Sequence, residues 1–232
     1  MKTNKPKVSI VIRTRNESRF IKKCLTKIFS QTEKNFEVIV VDNTSTDDTL
    51  KIIKNNFKSK KIKILKYPYK IYKPGKALNF GSLHAKGHYL CYLSAHCIPK
   101  NRNWLKYLLN SLKIKNVCGA YGKQEATPET NIFEAKALIY TFGLDKIIQS
   151  KNPFFHNANS IIKKKFWDKK NFNEKTDHIE DIIWGSYWIK KGFKLAYEPL
   201  SSVDHYHGMC HHNKSPKVKK ILKIIKALKH SS

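Results

Sequence analysis

Two acidic residues stand side by side at Glu180 and Asp181, just ahead of Ile182, Ile183 and Trp184. Carboxylates at a helix start can serve the helix dipole, or one of them can take a proton from a reacting hydroxyl. Successive helical residues point roughly 100° apart, so only one of the two can occupy a reaction axis. Asp181 is the stronger candidate for general base. Three of the four arginines, Arg13, Arg15 and Arg19, fall within seven residues, in a chain that otherwise carries its positive charge on 42 lysines. A planar guanidinium grips phosphate oxygens in pairs, which an ammonium cannot do, so this cluster suggests a diphosphate site. Asp42 closes the apolar run FEVIVVD, and Ser94-Ala95-His96 closes another, HYLCYLSAH. His205 and His207 are further imidazoles near the end of the patterned part of the chain.

These residues need strands to carry them. Residues 7–13 (KVSIVIR) and 36–42 form nearly continuous apolar runs, as in parallel strands covered on both faces. Between them residues 17–31 place Phe20, Cys24, Leu25 and Ile28 at helical spacing, with Asn16 as an N-cap. Residues 45–48 (STDD) cap a second helix running to about residue 57. A strand at 61–66, a helix at 76–86, a strand at 88–94 and a helix at 104–112 continue the alternation, which is that of a doubly wound sheet. Beyond the strand at 117–122 the rhythm changes. Helices are predicted at 132–148 and 179–191, and short strands at 158–162, 193–197 and 202–206. A lobe boundary is expected near residues 123–131, dividing residues 1–213 into a half ending near 122 and a half from 123. Ligands of open α/β sheets bind where the strands end, and there the candidates cluster.

Composition narrows the class. The 232 residues carry 46 Lys plus Arg against 17 Asp plus Glu, a formal charge of +29, with 41% hydrophobic residues. That is enough apolar material for a core and too many aromatics for a disordered chain. Residues 51–76 contain ten lysines and no acid, and 214–229 seven and no acid. The aromatics sit at core-like spacing rather than among those lysines, which argues against nucleic acid as the partner. No apolar run reaches the ~20 residues of a membrane-spanning helix, and residues 1–7 lack a signal-peptide core. Five cysteines without a C-x-x-C pair point to a reducing compartment. There is neither a G-x-G-x-x-G nor a G-x-x-x-x-G-K-[ST] loop, which removes the main support for dehydrogenase and P-loop classes.

Taken in order, VSIVIRTRN at 8–16, FEVIVVDNTSTDDT at 36–49, KALNFG at 76–81, YLSAHCIP at 92–99, the stretch 157–172 and Glu180-Asp181 resemble family 2 glycosyltransferases. The resemblance covers about residues 7–207. It implies a GT-A fold, meaning a Rossmann-like mixed sheet flanked by helices with an acceptor-side half. It implies transfer, with inversion, of a sugar from a nucleotide-diphosphate sugar to a glycan or lipid-linked acceptor in cell-surface polysaccharide or glycan biosynthesis. Thr14, Arg15, Glu17, Asp42, Lys76, Asn79, Ser94 and His96 are then the nucleotide-sugar-binding candidates. Asp181 and Glu180 are the catalytic pair. The family's D-x-D is replaced here by Ser94-Ala95-His96. A divalent ion, Mn²⁺ or Mg²⁺, would have to be held by His96, His205 and His207, and imidazole suits Mn²⁺ better than the harder Mg²⁺. A catalytically inactive domain acting as a binding or scaffold module is the alternative this departure raises.

The last segment reads separately. In residues 214–230 (KSPKVKKILKIIKALKH), Val218, Ile221, Leu222, Ile225 and Leu228 recur on one helical face, with lysines over the others. Such a basic amphipathic helix is expected to lie on an anionic membrane surface, which would place the protein in the cytoplasm at the inner face of the membrane.

Overall fold

The computed structural model describes residues 6–58 and 62–206. His207, Cys210 and the basic segment 214–230 lie outside the described residues.

The first half follows the predicted alternation: β1 (Val8–Thr14), α1 (Ile21–Phe29), β2 (Phe36–Asp42), α2 (Thr49–Asn56), β3 (Ile62–Lys66), α3 (Pro74–Leu83), β4 (Tyr89–Ser94), β5 (Cys97–Pro99) and α4 (Trp104–Ser111). The second half holds β6 (Val117–Glu125), α5 (Ile132–Thr141), β7 (Ile147–Gln149), β8 (Asn159–Lys163), α6 (Lys164–Lys169), α7 (Glu180–Lys190) and β9 (Lys194–His205). All nine strands join one sheet in the order β3-β2-β1-β4-β8-β6-β9-β5, with β7 on β9. β1 lies parallel to both β2 and β4, while β8 runs antiparallel to β4 and to β6. The architecture is therefore a mixed α/β sheet flanked by helices, as expected. β6 runs through residue 125, so the change of pattern near 123–131 falls at a strand end within this sheet.

The sheet has a core on each face. Val8, Ile10 and Ile12 pack with Val38 and Val40 beneath α1, whose Ile21, Cys24, Leu25 and Ile28 are buried. Val11, Ile39 and Val41 point the opposite way, toward Ala77 and Leu78 of α3 and Trp184 and Trp188 of α7. Alternating burial on both sides is why these strands read as unbroken apolar runs.

Three expectations change. The helix expected over 132–148 stops at Thr141, because Phe142 leaves the helical region and Gly143 follows; Ile147 then pairs with Tyr197. The two strands expected near the C-terminal end are one strand, β9, interrupted by a register shift where Pro199 and Leu200 bulge against β6. Asn16 does not cap α1. It adopts a left-handed conformation (φ 55°), and its side-chain oxygen accepts from the Thr46 N–H at 2.7 Å, tying the loops after β1 and β2 together.

Candidate active site

The ends of β1, β2 and β4 open into a cleft of about 250 Å³ lined by Arg13, Thr14, Arg15, Glu17, Asn43, Tyr72, Ser94 and His96. Five of the nucleotide-sugar-binding candidates, Thr14, Arg15, Glu17, Ser94 and His96, thus meet in one place, together with Arg13 of the arginine cluster. Thr14 is buried, and its hydroxyl has no protein hydrogen-bond partner. Arg15 is exposed at the rim. Arg19 is not part of this group: it pairs with Glu129 and covers the Phe20 ring.

Asp42 lines an adjoining hollow of about 390 Å³ with Thr44, Ser45, Thr46, Leu50, Ile64 and Lys66. Its carboxylate accepts from the backbone N–H and the hydroxyl of Ser45. Lys76 lies in the first turn of α3 with its ammonium 4.1 Å from the centre of the Tyr69 ring. Asn79 is committed to protein partners on both ends of its amide. Its nitrogen donates to the Phe172 carbonyl and the Glu174 carboxylate, and its oxygen accepts from Trp167 Nε1 and the Phe172 N–H, at 2.9–3.1 Å. It fixes the segment leading to Glu180. Gly75 serves the same junction, since a Cβ there would lie 2.0 Å from the Asn173 carbonyl oxygen.

The acidic pair begins α7 after an unusual turn. Ile179, a β-branched residue, sits at φ 69°, a conformation such residues avoid and which concentrates at functional sites. Both carboxylates behind this turn are buried. Glu180 Oε1 lies 3.7 Å from Arg13 Nη1. Asp181 accepts from the Asn157 N–H at 3.0 Å and from the Ile182 N–H at 2.8 Å. Burial, then the adjacent Asp181 charge, pushes Glu180 up to about 7, with Arg13 pulling the other way. Burial also raises Asp181, against the two N–H donors and Arg13. Burial opposes the charge on Arg13, but Tyr72, Glu180 and Asp181 outweigh it and hold the guanidinium above its ordinary pKa. Next to this group, burial lowers His156 to about 4, so it is neutral at pH 7. Its Nδ1 accepts from the Ala158 N–H at 3.2 Å, which leaves the ring proton on Nε2.

On the far side of His156 is a groove of about 310 Å³ between α5 and β6, lined by Gln124, Glu134, Leu138, Thr141, Phe142, Phe154 and His156 among others. Gln124 is buried, and its side-chain nitrogen has no protein partner. The carboxylate pair therefore lies near both a cationic cleft and an aromatic groove with an unsatisfied amide.

The metal question turns on the donor set. Ligand atoms of His96, Cys97 and His205 lie within 4.8 Å of one another, and the two imidazole rings are nearly parallel, centroids 5.2 Å apart. Burial pushes the Cys97 thiol well above its ordinary range, so without a cation it is an S–H. Glu17 Oε1 lies 2.8 Å from His96 Nδ1 and orients that ring, as carboxylates do for metal-binding histidines. Two imidazoles are nitrogen ligands, which Mn²⁺ accepts more readily than the harder Mg²⁺, and the Glu17 carboxylate orients one of them.

The model of the family described as glycosyl transferase family 2 matches residues 9–169. The chain belongs to that family. Among its relatives, this family 2 chain is 30% identical over 221 residues to a dolichyl N-acetyl-α-D-glucosaminyl phosphate 3-β-D-2,3-diacetamido-2,3-dideoxy-β-D-glucuronosyltransferase of Methanococcus voltae, covering 86% of this chain and 66% of the relative. Among solved structures it resembles a mannosyltransferase of Pyrobaculum calidifontis in complex with GDP-Man and Mn²⁺ (TM-score 0.67, 18% identity, 97% of this chain and 62% of the other). It also resembles S. aureus TarS residues 1–349 in complex with UDP-GlcNAc (TM-score 0.72, 16% identity, 96% and 66%). This family 2 chain thus spans roughly two thirds of the length of these proteins.

Asn43, beside Asp42 at the end of the second strand, was among the strand-end candidates, whereas sequence reasoning did not single out Tyr72, His156 or Gln124. All but Gln124 lie outside helices and strands, where no periodicity marks a residue. A buried polar residue such as Gln124 is visible only once its surroundings are known.

Proposed function

We propose that this chain transfers a sugar from a nucleoside-diphosphate sugar to a hydroxyl of a glycan or lipid-linked acceptor, in one inverting displacement. The observation that carries the reading is the buried Glu180–Asp181 pair, held between the arginine-lined cleft and the aromatic groove.

In this reading the donor occupies the cleft. Asp42 accepts from the nucleobase; two bonds from Ser45 leave lone pairs on its carboxylate for this. Thr14, Arg15 and Glu17 line the nucleotide's path. Arg13, Lys76 and His96 put positive charge or N–H donors toward the departing diphosphate, and electrostatic stabilisation of that kind is commonly the largest catalytic contribution. Asn79 acts on the donor through the loop it holds. A bound Mn²⁺, held by His96 and His205 and, outside the described residues, by His207, would neutralise charge on the diphosphate. The acceptor sugar stacks in the groove on Phe142 and Phe154 and accepts from the Gln124 amide. Asp181 takes the proton of the acceptor hydroxyl as its oxygen bonds to the anomeric carbon. The bond from that carbon to the diphosphate breaks on the opposite face, which gives inversion. Glu180 tunes Asp181 by sharing its burial and the Arg13 charge.

The names of relatives support a lipid-phosphate acceptor, and the pattern of 214–230 supports a membrane-surface location at the cytoplasmic face. Among the described residues no helix is long and apolar enough to cross a membrane. The test is calorimetry of the full chain with UDP-, GDP- and dTDP-sugars with and without Mn²⁺, followed by transfer assays on the donor that binds. A folded chain that binds no nucleotide sugar would refute the reading. Vesicle co-sedimentation of the full chain and one ending at Asn213 tests the tail; equal binding by both would remove its role.

A further inference from the structure

Helix α5 is apolar on the wrong side for a helix that only packs on its own protein. Its inner row, Glu134, Ala137, Leu138 and Thr141, lines the groove beside β6. Its outer side carries Ile132, Phe133, Ile139 and Tyr140, which are 61%, 70%, 71% and 89% exposed, and Leu144 continues the surface at 79%. No residue of α5 is buried. Isolated exposed apolar residues are ordinary, but five large ones on one helix and its following turn form a patch of the kind that marks a contact surface.

Charge indicates what covers it. A second copy of this chain would bring +29 against +29, while an anionic lipid surface is attracted by the same charge. Lys136 stands exposed in the outer row between Ile132 and Tyr140, and Lys151 is exposed just beyond β7. The nearby acids are accounted for: Glu134 lines the groove, Glu129 pairs with Arg19, and only Asp145 stands exposed beside the patch. A helix with apolar residues outward and lysines among them suits the boundary between head groups and acyl chains.

We propose that the outer face of α5 and the turn after it rests on an anionic lipid surface, with the groove beneath α5 facing an acceptor carried on that surface. The lipid contact stands on the exposed face itself. Only its link to an acceptor rests on the transferase reading.

The test places a reporter on the helix. The described cysteines are all buried, so in the full chain with Cys210→Ser, a Tyr140→Cys substitution gives a single accessible site for an environment-sensitive fluorophore. Vesicles of phosphatidylcholine with roughly a third phosphatidylglycerol are compared with phosphatidylcholine alone. The expected result is a blue-shifted, brighter emission with the anionic vesicles. A companion full chain carrying Phe133→Ser, Ile139→Ser and Tyr140→Ser should bind these vesicles about tenfold more weakly or less. Vesicle binding without an emission change would overturn the proposal and leave the anchoring to the basic tail. A concentration-dependent change without vesicles, with dimers in sedimentation velocity, would overturn it in favour of a second copy. No vesicle binding at all would also overturn it. Nucleotide binding, measured on the same samples, separates the two readings: it should be unchanged in the serine variant, and its absence from the parent chain would sink the transferase reading alone.

Discussion

Glu180→Gln should make this protein more stable at alkaline pH while damaging its function. In the fold, burial and the adjacent Asp181 hold Glu180 up at about 7, against an ordinary value of 4.5. The unfolded chain releases that proton near 4.5, and the folded chain keeps it to about 7. Between these values the unfolded state binds fewer protons, so stability falls as pH rises, and the loss is complete above the folded pKa. Holding the proton from 4.5 up to about 7 corresponds to about 3 kcal/mol. Glutamine fills the same space without ionising. The variant should therefore match the parent near pH 4.5 and exceed it by about 1–3 kcal/mol at pH 8, the lower figure applying where Asp181 takes over Arg13. Urea unfolding at both pH values measures the difference. A variant less stable than the parent at pH 8 would show that the Arg13–Glu180 pair is net stabilising, and the account of a strained carboxylate compartment would fail.

Four further outcomes follow from the same geometry. Asp181→Asn should lower turnover by about a hundredfold or more with donor affinity unchanged, by transfer assay and calorimetry; near-normal turnover would exclude Asp181 as the base. His156 is held at about 4 against an ordinary 6.5, so its contribution to stability is present above 6.5 and lost as pH falls toward 4. His156→Leu should flatten the acid side of the unfolding profile, and an unchanged profile would contradict its burial. Asn79→Ala strands the Phe172 backbone groups and Trp167 Nε1, which should cost about 3–5 kcal/mol in urea unfolding, whereas a loss below 1 would mean the loop repacks. Transfer should cease in EDTA and return better with Mn²⁺ than with Mg²⁺; full activity in chelator would make His96 a direct diphosphate contact.

The strands that build the cleft were readable because burial on both faces writes itself into sequence as a continuous apolar run. β2 spans the same residues, Phe36–Asp42, that the pattern predicts. What the pattern missed, the continuity of β9 and the existence of β7, was set by their neighbours. β9 contains Pro199, an ordinary breaker, yet it continues because β6 and β5 pair with it on either side of the bulge. β7 has only three residues, and its partner Tyr197 lies fifty residues away. At the site, Arg13, Asp42 and His96 were legible because each sits at or beside a strand end. His156 was not, because nothing local tells a buried neutral imidazole from a solvated one.

The single sheet has a mechanical consequence. β4 and β6 both pair with β8, so the strands under the cationic cleft and those beside the aromatic groove share one ladder of hydrogen bonds. A hinge between the two halves would have to tear that ladder. Whatever closes over a substrate must therefore come from the connections, foremost the segment after β3 with Tyr69, Ile71 and Tyr72 exposed. In amide hydrogen exchange, ligand binding should slow those loop positions and leave the strand amides as slow as before.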